Sequence, residues 1–227
     1  GYFAGTVLFS LFLGNAIIAM IALGLAFPLV AFGLRRDVFA RPENRAHRDA
    51  VFFLFCGCFF LWLSTQVFGN FFLSRFADAG YEEYAETMSS VHVLIRLFFI
   101  IAISPVSEEI LFRGIIFGGF SKAMPKWLAC ALSSFMFAFV HGTAVHMIIG
   151  FAFGVFLCYA YDVTRSILSV IGLHLFYNLL TSFLSGLMWP VVLGSAFWVM
   201  VVCFLAFAAS FGFCVLTHKY HGLFAKS

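Results

Sequence analysis

The chain has 227 residues, 63% of them hydrophobic and only 10% charged, with a mean hydropathy of +1.06. Soluble domains carry about 25% charged and about 45–50% apolar residues, so a water-soluble fold of this size could not hide so much apolar surface and membrane lipid is the expected solvent. The net charge of +3 includes no lysine-rich run, so nothing in the sequence points to nucleic acid.

A membrane span needs about 20 mainly apolar residues. In chain order that rule predicts spans near 5–32, 51–73, 91–120, 127–142, 145–161, 166–187 and 190–216. The first is too long for the core of a signal peptide and lacks a basic leader, so it reads as a span. The first and third exceed what one bilayer requires, which predicts tilt, a break or an interfacial piece, and Pro105 should kink the third. The expected fold is all-α, a polytopic transmembrane helix bundle of seven spans with room for an eighth short helix. It forms one integral membrane domain over 1–227, multi-pass, in the cell membrane if the source is bacterial. The cysteines (Cys56, Cys58, Cys130, Cys158, Cys203 and Cys214) all lie in apolar stretches and read as small packing residues, not as a disulfide framework or a zinc site.

Charge in the loops predicts an orientation. The first loop holds Arg35, Arg36, Arg41, Arg45 and Arg48, while the second holds Arg75 against Asp78, Glu82, Glu83 and Glu86. Lys122, Lys126, Arg165, Lys219 and Lys226 then fall on the side of the first loop if the spans number seven. That places the N-terminus outside and the C-terminus in the cytoplasm.

Almost every ionisable residue sits in a loop or tail; the charged exceptions are Arg96, near one end of the third span, and Glu108, Glu109 and Arg113 in its other half. A charge at mid-membrane costs about 2.5–3.5 kcal/mol on insertion scales, so such residues are functional candidates by default. Glu109 and Arg113 stand at i,i+4, on one helix face, and could simply neutralise each other. Glu108 points about 100° away and needs another explanation. Three histidines lie in or beside spans. His146 begins a helix next to a Gly-Thr turn and reads as interfacial, whereas His141 closes an apolar run and His174 shares a face with Asn178 at i+4. At 1.5 Å per residue, Glu108, His141, His174 and Asn178 lie about 18, 21, 12 and 18 Å from the predicted cytoplasmic ends of their helices. Unsatisfied polar groups at such depths are costly, so they are expected to converge around a wet cavity.

A carboxylate, two imidazoles and an amide suit hydrolysis by an activated water. The carboxylate, helped by an imidazole, takes the water proton, and imidazole N–H and Asn NH₂ can donate to the developing oxyanion. Ser107, beside Glu108, is the nearest hydroxyl, but no nucleophile motif surrounds it. Two His and a Glu could also bind zinc. H-E-x-x-H is absent, however, and His141 and His174 are 33 residues apart, a spacing that neither requires nor excludes a metal.

Three motifs carry a resemblance. Glu108-Glu109-Ile-Leu-Phe-Arg113 fits E-E-x-x-x-R, Phe137 to His141 fits F-x-x-x-H, and His174-Leu-Phe-Tyr-Asn178 fits H-x-x-x-N. In this order the sequence resembles the CAAX protease and bacteriocin-processing family of intramembrane proteases, which includes the Rce1-type CAAX prenyl endopeptidases. The likeness covers about 91–185, the protease-like core. It implies a helical bundle whose cavity opens to the membrane and the cytoplasmic side, with Glu108 and His141 activating water and His174 and Asn178 forming an oxyanion hole. Glu109 and Arg113 would orient the site. The chemistry implied is glutamate-dependent, with no metal or cofactor, on a membrane-associated peptide or protein. A non-proteolytic partner or bacteriocin-immunity protein of the same fold is the alternative. A transporter or proton channel would need polar residues continuing to the outer face, where the loops near 143 and 188 offer little beyond Thr143 and His146.

Overall fold

The computed structural model describes residues 46–76, 92–185 and 196–224. Among them every regular element is helical. In chain order these are α1 (Ala46–Phe76), α2 (Val93–Phe98), π1 (Phe99–Ile103), α3 (Ser104–Glu109), π2 (Ile110–Phe117), α4 (Gly118–Ala123), α5 (Lys126–Phe139), α6 (Ala144–Thr164), α7 (Ile167–Leu184) and α8 (Ala196–Phe224).

Three helices among the described residues are long and apolar enough to cross a membrane: Ala50–Phe72, Ala144–Thr164 and Ile167–Leu184. They coincide with the expected spans 51–73, 145–161 and 166–187. The expected span 127–142 is the 14-residue α5, about 21 Å of helix against a hydrocarbon core of about 30 Å. The stretch 190–216 falls partly on α8, whose apolar part is Val201–Thr217, and 5–32 lies outside the described residues. Large apolar side chains such as Phe52, Phe135, Phe183, Phe204 and Phe211 are exposed, as a lipid-facing surface requires.

The expected span 91–120 is not one α-helix but a succession of short pieces. Pro105 occupies the first turn of α3 directly after π1. It has no N–H to give to a carbonyl four residues back, and its ring crowds that carbonyl. The hydrogen-bond register widens just before it: the Ser104 N–H bonds to the Phe99 carbonyl, five residues back. A second widening follows Glu109, where the Gly118 N–H reaches the Arg113 carbonyl. The six-residue α3, with both glutamates, is thus bracketed by two π-turns, a form that is frequent at functional sites.

The chain divides into two compact units, with described residues 92–158 in the first and 46–76, 159–185 and 196–224 in the second; α6 contributes to both. In the first, α5 and α6 meet along small residues. A Cβ on Gly154 would stand 3.0 Å from Ser134 Cβ and 3.1 Å from its Cα, and one on Gly150 would stand 3.4 Å from Ala138 Cα. Four residues back on α5 match four residues forward on α6, an antiparallel register. Without a hydrophobic force between helices in lipid, close backbone approach of this kind supplies the packing. The turn between the helices needs Gly142 at φ 78°, and Thr143 caps α6 by accepting from the His146 N–H at 3.3 Å.

In the second unit, Phe213 of α8 stacks on Phe60 of α1 with ring centroids 5.7 Å apart. Ser64 Oγ donates to the Cys203 carbonyl at 3.1 Å. On α7, Leu173, Tyr177 and Thr181 face α1. The Cys58 thiol donates to the Leu173 carbonyl at 3.6 Å, Thr65 and Tyr177 share their hydroxyl hydrogen bond at 2.6 Å, and Trp62 Nε1 donates to Thr181 Oγ1 at 3.2 Å.

Candidate active site

Glu109 and Arg113 are both fully buried and form an ion pair, Nη1 to Oε1, at 2.8 Å. Burying two charges is costly unless they are matched and further bonded. Here Arg113 Nη2 also donates to the Gly154 carbonyl at 3.3 Å, and its guanidinium carbon lies 4.4 Å from the centroid of the Phe137 ring, within cation–π range. Phe112 meets Phe137 edge-on at 5.3 Å, and Ser133 Oγ ties α5 to the Phe112 carbonyl at 2.8 Å.

Glu108 has a different environment from its neighbour. It is half-buried, and the hydroxyl of Ser104, one turn earlier, donates to its Oε1. The angle of about 100° between adjacent helix positions therefore separates the two carboxylates, one sealed against Arg113 and one accepting from a hydroxyl. Ser107 turns its hydroxyl back to the carbonyls of Ile103 and Ser104, at 3.1 and 2.9 Å.

His141 stands two residues beyond the end of α5. Its ring centroid is 4.8 Å from that of Phe137, and its Nδ1 is 2.8 Å from the Phe137 carbonyl oxygen. A carbonyl only accepts, so Nδ1 carries the proton, and in the neutral ring the lone pair is on Nε2. The Phe137 ring thus meets both Arg113 and His141. His146 Nδ1 is engaged by Thr143 Oγ1 at 2.7 Å, at the start of α6.

His174 and Asn178 belong to the second unit. They follow Leu173 and Tyr177 by one position, and so lie about 100° around α7 from the face that packs on α1. His174 is buried and Asn178 half-buried.

Three residues outside the expected site build this geometry: Ser104 bonds to Glu108, Phe137 serves both Arg113 and His141, and Gly154 provides the carbonyl that Arg113 reaches. Ser104 carries no motif, Phe137 opens the F-x-x-x-H run, and Gly154 shows the Gly150-x-x-x-Gly154 spacing in an apolar helix. Phe112, Phe135, Met136, Phe139 and Val140 contribute to an open apolar cleft of about 350 Å³ between π2 and α5.

The stretch that holds these residues has a counterpart among known proteins. Residues 90–180 match the family model of type II CAAX prenyl endopeptidases, Rce1-like. The matched segment contains all six motif residues, Glu108, Glu109, Arg113, His141, His174 and Asn178, and the match agrees with the resemblance drawn from the motifs. Over 165 residues the chain is also 24% identical to a Bacillus subtilis (strain 168) protein named "Putative membrane peptidase YdiL", covering 72% of this chain and 68% of that one. No solved structure matches. Both matches are to proteins named as peptidases.

Proposed function

We propose that the protein is a glutamate-dependent intramembrane endopeptidase that cleaves a membrane-associated peptide or protein. The observation that carries this reading is the division of labour between adjacent carboxylates. Glu109 is committed to Arg113 in a sealed pair, whereas Glu108 is half-buried and accepts from Ser104. A structural ion pair accounts for the first carboxylate, and the second, which accepts from a hydroxyl, is the one assigned to the chemistry.

In the proposed reaction, water lies between Glu108 and His141. Glu108 takes its proton while the Nε2 lone pair of His141 orients it, and the oxygen adds to the scissile carbonyl carbon. The oxyanion accepts from His174 and Asn178. Its collapse breaks the C–N bond, and the amine leaves with the proton that Glu108 had taken. Glu109 and Arg113 hold α3 and π2 against α6. No step is routed through a metal. The apolar cleft beside π2 suits the lipid-embedded part of such a substrate. Seven spans, with the N-terminus outside and the C-terminus cytoplasmic, complete the proposal, supported by the distribution of Lys and Arg among the loops.

The test is a proteomic comparison of membranes carrying the wild-type protein or Glu108→Gln. Peptides cut only when the carboxylate is present would identify substrates. A substitution that changes no cleavage in cells where the protein is active would favour the non-proteolytic immunity or partner role.

A further inference from the structure

The seam between α5 and α6 repeats every four residues, and its next rung is a pair of thiols. Ala138 meets Gly150 and Ser134 meets Gly154. One more turn in the same antiparallel register pairs Cys130 with Cys158, both free thiols. Ser134 Oγ adds a contact to Cys158 Sγ at 3.8 Å. Cys158 is buried, and Cys130, four residues into α5, is half-buried.

The backbone spacing suits a covalent bond. With a Cα–Cβ bond of about 1.5 Å, a Cβ position on Gly154 that lies 3.1 Å from Ser134 Cα puts the two Cα atoms no more than about 4.6 Å apart. The same construction at Gly150 and Ala138, from 3.4 Å, gives no more than about 4.9 Å. Disulfides bridge Cα atoms up to about 6.8 Å apart. Two successive rungs below that limit, with Cys130 and Cys158 one turn further along the same seam, leave little backbone movement for closure.

We propose that Cys130 and Cys158 are a redox-responsive dithiol that closes to a disulfide on reaction with a small-molecule disulfide. The half-buried Cys130 thiolate attacks one sulfur of the oxidant, forming a mixed disulfide and releasing one small thiol. Cys158 then attacks the Cys130 sulfur, forming the protein disulfide and releasing the second small thiol. The two protein thiols lose two electrons, their protons end on the two released thiols, and the oxidant disulfide is reduced. The bond closes one turn from Gly154, whose carbonyl holds Arg113, so it pins the seam on which the ion pair rests. The inference does not depend on proteolytic activity.

The full-length protein, reduced and then treated in detergent with dithiodipyridine, is alkylated with N-ethylmaleimide and mapped by peptide mass spectrometry. The expected predominant product links the Cys130 and Cys158 peptides, carries neither pyridyl nor maleimide mass at those positions, and reverts with dithiothreitol. Cys158→Ser should trap the pyridyl mixed disulfide on Cys130, which separates the two steps. Finding both wild-type thiols alkylated, or Cys130 held as a stable pyridyl adduct while Cys158 is present, overturns the proposal. So does a Cys158→Ser protein in which Cys130 takes up no pyridyl group.

Discussion

Arg113 Nη2 donates to the main-chain carbonyl of Gly154, 3.3 Å away and 41 residues further along the chain. With Nη1 on Glu109 and Phe137 against the guanidinium, this bond makes a buried cation the fastener between π2, α5 and α6. Removing it should be felt well beyond one lost contact.

Arg113→Ala leaves the Glu109 carboxylate buried without its cation, at a cost of about 3–5 kcal/mol. Expression or thermal stability in detergent should fall. Glu108→Gln nearly preserves shape, and its amide can still accept from Ser104, so folded yield should be close to wild type while cleavage disappears. Equal loss of stability in the two variants would count against separate roles for the adjacent carboxylates.

The seam predicts opposite responses at two glycines. In Gly154→Ala the added methyl meets Ser134 Cβ and Cα at 3.0 and 3.1 Å, and a shift of backbone is required. Such overpacking costs typically about 1–3 kcal/mol, and the melting temperature should drop. Gly150→Ala meets Ala138 Cα at 3.4 Å and His141 Nδ1 at 3.7 Å, close to ordinary contact, and gains helix propensity of about 1 kcal/mol. Its melting temperature should hold or rise. Equal destabilisation at the two positions would refute the register described for α5 and α6.

Metal dependence is decided by content and activity together. The water-activation scheme predicts substoichiometric zinc in purified protein and cleavage that survives a strong chelator. Asn178→Ala should lower turnover by about 10²–10³, as loss of one oxyanion donor does in other hydrolases, with metal content unchanged. Stoichiometric zinc that vanishes in both His141→Ala and His174→Ala would sink the scheme.

Topology can be read with fusion reporters. Reporters after Arg45 and after Lys226 should both report the cytoplasm, and one near Glu83 the outside. Opposite sides for the first two would overturn the seven-span orientation.

Composition alone determined that lipid is the solvent, because 63% apolar residues exceed what a soluble fold of this length can bury. The Glu109–Arg113 pair was also legible, since i,i+4 neighbours on a helix meet through local geometry whatever surrounds them. The split between Glu108 and Glu109 follows from the same rotation. The proton on His141 Nδ1 was not legible, because it depends on how the chain turns after α5 to bring the ring over the Phe137 carbonyl. Nor was the way the third stretch divides around Pro105. A missing N–H predicts a disturbance there, but whether the ladder kinks or widens to a five-residue register depends on what packs alongside. The seam that joins Arg113 to Gly154 and sets Cys130 against Cys158 came only from tertiary structure. α6 is apolar nearly all round, so its periodicity names no inward face; the close approach of two backbones, permitted by glycine and serine, selected one.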